Sequence, residues 1–104
     1  MAQLTVQSDG AINWESADVA GDTFDNKYER KVLIKNDDAS AKDITLTAQK
    51  PCQLGVLHDH EVTVGAGKTL LMADLPIKFY NDENGMAELN YSDVTSLSVA
   101  VLDV

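Results

Sequence analysis

The chain has 104 residues, 44% of them hydrophobic, and its 17 acidic and 8 basic side chains give a formal net charge of −9 at pH 7. This length and composition are typical of one globular domain, residues 1–104, with a single core, and they exclude a disordered tail. The negative charge opposes attraction to a phosphate backbone, so nucleic acid is not an expected partner.

Short alternating runs at the beginning of the chain predict β-strands, because side chains two residues apart share one face of a strand. Leu4 and Val6 mark a first run. Ile12 and Trp14 mark a second, in which both side chains are expected to point inward.

Residues 16–28 form the longest predicted loop, since Gly, Asp and Asn favour turns over strand pairing. One interpretation is a surface connection that Phe24 or Val19 pins to the core. The other is a contact loop, because loops of this length often carry binding.

The middle of the chain shows the clearest alternation. Residues 30–36 predict a third strand and residues 43–49 a fourth, which we expect to pair as a hairpin. Five of their apolar residues are expected to face the core: Val32, Ile34, Ile44, Leu46 and Ala48. Alternation is expected to leave the neighbouring basic residues on solvated strand edges. These are Arg30, Lys31, Lys35, Lys42 and Lys50.

Residues 58–64 predict the next strand, and the glycines of residues 65–67 a hairpin turn into residues 68–75. This last run is apolar on both faces, so we interpret it as a strand that ends at Pro76. The outer side chains are expected either to lie under the loop of residues 16–28 or to meet a partner. Residues 77–80 predict a short strand or edge piece.

Two alternating runs, residues 86–92 and 97–104, end the chain and predict a strand pair around a polar turn. Such a pair needs a second layer to bury its apolar face. We therefore predict an all-β, antiparallel β-sandwich of about eight strands, either jelly-roll or immunoglobulin-like. Trp14 is expected to be at least half buried, and the expected core comprises Ile44, Leu46, Val62, Val64, Leu89, Val99 and Val101.

The candidates for chemistry are few. The single cysteine, Cys52, lies among apolar residues and favours a buried, inert thiol. His58 and His60 would share one strand face and could meet a zinc ion, but a third ligand is missing nearby. The alternative is a polar segment in which His58 and Asp59 hold the preceding loop by hydrogen bonds.

Other polar runs fit turns better than ligand sites. The acidic runs at residues 37–38 and 82–85 lack the ligand spacing of a calcium loop. Residues 65–69 lack the glycine spacing of a phosphate loop. We therefore expect no metal, no cofactor, no small-molecule substrate and no enzymatic activity.

Several of these segments together resemble small β-sandwich proteins of tailed bacteriophages that decorate the capsid surface. The matching positions are 21–24, 32–36, 44–47, Cys52, Gly55, 58–59, 62–67, 75–76, Phe79, 81–82, 84–85, 91–92, 94–97 and 99–101. The resemblance implies a capsid decoration or cement protein that binds the lattice of the major capsid protein and stabilises the head. It transfers no catalytic residue.

On this hypothesis the protein belongs to the virion, on the capsid surface, and is made in the host cytoplasm. The sequence begins without the charged and apolar regions of a signal peptide and contains no apolar membrane span, so no membrane partner is expected. Self-association as a trimer or a monomeric state both fit such lattices. The rival functions are a tail or neck component, and a soluble acidic adaptor or inhibitor.

Overall fold

The computed structural model describes residues 2–8, 10–28, 30–49, 55, 59–72 and 80–103. Within these residues the chain forms ten strands in two five-stranded sheets. In chain order they are β1 (Ala2–Gln3), β2 (Val6–Gln7), β3 (Glu15–Ser16), β4 (Asp22–Asp25), β5 (Lys31–Asn36), β6 (Lys42–Leu46), β7 (His60–Val64), β8 (Thr69–Met72), β9 (Met86–Tyr91) and β10 (Leu97–Leu102).

The two sheets pack face to face. Sheet A has the order β1-β4-β9-β6-β7, and sheet B has the order β2-β10-β5-β8, with β3 also paired to β10 beside β2. The strands therefore form the predicted all-β sandwich.

The path from β3 to β10 is that of a jelly roll. Its strands form four antiparallel pairs, β3 with β10, β4 with β9, β5 with β8 and β6 with β7. Antiparallel pairing of β10 with β5 and of β9 with β6 joins these ribbons into two sheets. A long antiparallel ribbon folded over itself in this way is the jelly-roll sandwich, one of the two architectures that the sequence predicted.

The segment before β3 runs along the edges of both sheets. β1 pairs in parallel with β4 in sheet A, and β2 pairs in parallel with β10 in sheet B. The chain crosses between the sheets at Leu4, whose side chain is buried and whose amide donates to the Thr23 carbonyl. Because of this crossing, the single first strand predicted around Leu4 and Val6 is divided into two.

The predicted core is confirmed with one adjustment. Of the seven expected core residues, Val62 is only partly buried and packs against the core, while the others are buried. Trp14 is more than half buried, as expected. The inward orientation predicted for Ile12 is wrong, because Ile12 is 43% exposed and lies before β3 rather than in a strand.

The predicted pairing of neighbouring strands is wrong in three places. β5 and β6, β7 and β8, and β9 and β10 are each consecutive in the chain, but each pair is divided between the two sheets. Their short turns carry the chain across the end of the sandwich, so the strands of each pair face one another through the core. The turn at residues 65–68 is otherwise as expected, with a Lys68 amide to Gly65 carbonyl hydrogen bond.

Buried asparagines hold the connections together. The Asn36 side-chain amide donates to the carbonyls of Ser40, Val64 and Gly65, which joins the β5–β6 turn to the β7–β8 turn. Asn26 and Asn81 exchange two hydrogen bonds of 2.7 and 2.6 Å between the connections that precede β5 and β9. Satisfied buried polar groups of this kind fix one arrangement of the loops.

Two basic residues are buried, contrary to the expectation of solvated edges. The Lys42 side chain is 1% exposed, and its ammonium donates to Asp38 and Asp93, so it joins the β5–β6 and β9–β10 turns. Arg30 lies 2.9 Å from an Asp103 carboxylate oxygen and donates to the Asp25 carbonyl. Both cations are buried because carboxylate or carbonyl oxygens surround them.

The chain passes close to β9 at Gly21, where φ is +94°. A Cβ atom built there would lie 2.6 Å from the Asn90 side-chain oxygen and 2.9 Å from the Leu89 carbonyl oxygen. Because glycine has no Cβ atom, it can adopt this positive φ and fit into the narrow space beside β9.

Candidate interaction surface

The structure does not assemble a metal site from the sequence candidates that it describes. His60 is exposed at the start of β7, and Asp59 accepts a 2.8 Å hydrogen bond from the Ala48 amide. Among the described residues no group of three or more His, Cys, Asp or Glu side chains could hold a metal ion. His58 and Cys52 lie outside the described residues, as do residues 73–79.

The acidic runs serve turns, as expected. Asp82 accepts hydrogen bonds from the amides of Asn84 and Met86. Asp38 accepts from the Ala39 amide and from Lys42. Hydrogen bonds from Lys42 in particular hold the pKa of the Asp38 and Asp93 carboxyls below their ordinary value, and hydrogen bonds to both carboxylates raise the pKa of Lys42.

A carboxylate and a phenol meet inside one end of the sandwich. The Tyr91 hydroxyl donates a 2.7 Å hydrogen bond to Asp22 Oδ2, which also accepts from the Asp18 amide, while Asp22 Oδ1 is buried without a partner. Burial, and then the hydrogen bond to Asp22, raise the pKa of Tyr91 well above its ordinary value. A partly buried phenol that keeps its proton fits a structural role.

The prediction of one long loop over residues 16–28 is wrong, because β4 (Asp22–Asp25) lies within it and pairs with β1 and β9. Phe24 is fully buried, as one interpretation expected, but it is a residue of β4, whereas Val19 is 83% exposed. Leu71 in β8 is 55% exposed, so the outer side of this doubly apolar strand is not covered by residues 16–28.

Leu71 belongs to an apolar row that crosses the outer face of sheet B. Leu71 pairs with Leu33 of β5, which pairs with Ala100 of β10. The pairing of Glu15 with Val99 places Trp14 beside Ala100, one residue beyond the ladder. We call these four residues, Trp14, Ala100, Leu33 and Leu71, the apolar stripe. Leu71 is exposed, Trp14 and Leu33 are partly buried, and Ala100 is fully buried.

Lysines flank the apolar stripe on β5. Lys35 lies in the neighbouring row, with its ammonium 4.7 Å from the centre of the Trp14 ring, and Lys31 lies in the row on the other side of Leu33. A cation over an indole face is attracted by the ring quadrupole, so Lys35 and Trp14 hold each other in place.

The sequence predicts only part of this surface. Its alternation indicates that β8 has two apolar faces, one of which carries Leu71. Leu33 is also out of phase with the inward residues of β5, and a single out-of-phase leucine is too common to point to a surface. Only the pairing registers show that the two leucines are neighbours.

The outer face of sheet A is acidic, in contrast to the outer face of sheet B. Its outward positions on β4, β6, β7 and β9 alternate with the buried residues and include four carboxylates and no basic residue. These carboxylates belong to Asp25, Asp43, Glu61 and Glu88.

No known protein family, curated protein or solved structure matches the chain. None of the helical segments in the described part of the chain is long and apolar enough to cross a membrane.

Proposed function

We propose that this protein is a capsid decoration protein of a tailed bacteriophage, which binds the assembled head and stabilises it through surface contacts. The observation that carries the proposal is the apolar stripe, because an apolar row that ends in an exposed leucine and is flanked by lysines, on an otherwise acidic protein, is typical of a contact surface. The phage-like sequence pattern supports the capsid as the partner.

The jelly roll adds a general analogy. This sandwich occurs in viral capsid proteins, but also in lectins and cupins, so it is compatible with the proposal without selecting it. The buried side chains of Asn36 and Lys42 hold the turns of the sandwich together, which favours a rigid domain. A rigid domain loses little conformational entropy when it binds. A modest interface copied over a lattice then stabilises the shell through many equal contacts.

A co-sedimentation experiment tests this function. Purified protein is mixed with expanded capsids of a tailed bacteriophage and, separately, with the unassembled coat subunits of the same phage. We expect saturable binding to the assembled shell and a higher resistance of the shell to heat or to a chelator. A protein that binds neither shells nor subunits contradicts the proposal, and binding to isolated tails instead would favour the tail or neck component.

The acidic outer face of sheet A favours one other candidate, a soluble inhibitor that mimics nucleic acid. In the pairing registers, however, Glu61 lies opposite Thr45, Asp43 opposite Thr63 and Glu88 opposite Thr23. The carboxylates are thus separated by threonines rather than arranged as a phosphate-like row. Competition between this protein and duplex DNA for a DNA-binding enzyme would support the inhibitor.

A further inference from the structure

We propose that the outer face of sheet B is the surface that docks on the shell, and that its partner is a protein surface with carboxylates around an apolar centre. This inference rests on the proposed function and adds the docking surface, the orientation of the sandwich and the chemistry of the partner.

The apolar stripe supplies the centre of the contact. Single exposed apolar residues are normal on protein surfaces, but here the exposed Leu71 continues into the partly buried Leu33 and Trp14 of the same row. Leu71 stands at the open end of the row with 55% of its surface exposed, and Trp14 at the other end is held by Lys35. Large side chains such as tryptophan dominate binding energy at many interfaces, and here Trp14 and the exposed Leu71 mark the two ends of the row.

The charge of the outer face of sheet B indicates the chemistry of its partner. Of the described outward positions on β2, β3, β5, β8 and β10, none is acidic, although the chain has 17 acidic residues. The same face carries Lys31 and Lys35. Beyond the strand ends, Asp37 lies 4.0 Å from Lys35 in an ion pair open to solvent, and Asp103 lies 2.9 Å from Arg30. An acidic partner is therefore attracted here.

The other described surfaces suit an acidic partner less well. The outward positions of sheet A carry four carboxylates, of which Asp25 lies 3.8 Å from Arg30. A groove of about 390 Å³ beside the β8–β9 connection is lined by Gln49, Asp82, Glu83 and Asn84. Like charges across an interface cost binding energy. Sheet A is therefore expected to face solvent, where its charge keeps a decorated particle soluble.

Four single substitutions test the surface in the co-sedimentation assay with expanded capsids. Leu71→Glu and Lys35→Glu alter the outer face of sheet B at exposed or partly exposed positions. Val19→Glu is the matched control, since it makes the same change from an exposed apolar residue to glutamate at the end of the sandwich. Glu61→Lys alters the outer face of sheet A. Circular dichroism and thermal unfolding confirm that each variant is folded.

We expect Leu71→Glu and Lys35→Glu each to weaken shell binding at least about tenfold, as the loss of an interface anchor does. Val19→Glu and Glu61→Lys are expected to bind as the unchanged protein does, and added salt to weaken the unchanged protein. Lysine acylation followed by mass spectrometry gives a second readout, with Lys31 and Lys35 protected on the shell and Lys27 still reactive.

The outcomes separate the two proposals. If the unchanged protein binds shells but only Val19→Glu or Glu61→Lys weakens binding, the docking surface is wrong and the proposed function stands. If the unchanged protein binds no shell, both fail. If sedimentation velocity shows a dimer that Leu71→Glu dissociates while shell binding persists, the face is occupied by a second copy and the inference is overturned.

Discussion

Replacing Tyr91 by phenylalanine tests how the buried carboxylate of Asp22 is stabilised. The phenol donates a 2.7 Å hydrogen bond to Asp22 Oδ2, and Asp22 is fully buried with Oδ1 unpartnered. After Tyr91→Phe, the Asp18 amide at 3.1 Å is the remaining described donor to that carboxylate. The ring is retained, so no large cavity forms.

The expected cost follows from the lost hydrogen bond. A hydrogen bond to a charged, buried group contributes about 1.5–3 kcal/mol, so we expect Tyr91→Phe to lower the free energy of unfolding by about 2 kcal/mol. For a domain of this size, that loss lowers the melting temperature by about 8–16 °C. Urea unfolding followed by circular dichroism measures the change, and thermal unfolding checks it.

The matched control is Tyr28→Phe, which removes a hydroxyl from a residue that is 72% exposed and should change stability by less than about 0.5 kcal/mol. A Tyr91→Phe variant as stable as this control would refute the role given to the phenol.

The pH dependence of stability gives a further check. Because folding raises the pKa of Tyr91 above 10.0, its contribution is complete below that pH and is lost as the pH rises further. The unchanged protein should therefore lose more stability than Tyr91→Phe above about pH 10.

Two other predictions concern the turns and the close approach of the chain to β9. Hydrogen bonds from Lys42 lower the pKa of Asp38 and Asp93 from 3.8, so their contribution is present above that value and lost as the pH falls below it. Urea unfolding at a series of acidic pH values should show a shallower loss for Lys42→Met, and equal slopes would contradict the ion-pair assignment. Gly21→Ala is expected to cost about 2 kcal/mol more than Gly10→Ala, which has a similar positive φ but open space around it. Equal losses in urea unfolding would mean that the contact with β9 relaxes freely.

The sequence identified most of the buried strand residues because burial of one face imposes a period of two. Ile44, Leu46, Leu89, Val99 and Val101 could be placed inward without knowledge of any partner strand. The same alternation indicated that β8 has apolar residues on its outer face as well as on its inner face. Turn residues located the connections for a related reason, since glycine and aspartate satisfy backbone geometry locally.

Strand pairing and the surface were decided by the tertiary structure. Alternation tells which face of a strand is buried, but it does not tell which strand lies beside it, and here β9 and β10 share a turn while belonging to opposite sheets. Lys42 and Arg30 could be buried only because distant carboxylates meet them in the folded chain. For the same reason Leu33 and Leu71, 38 positions apart in sequence, become one surface only through the pairing of β5 with β8.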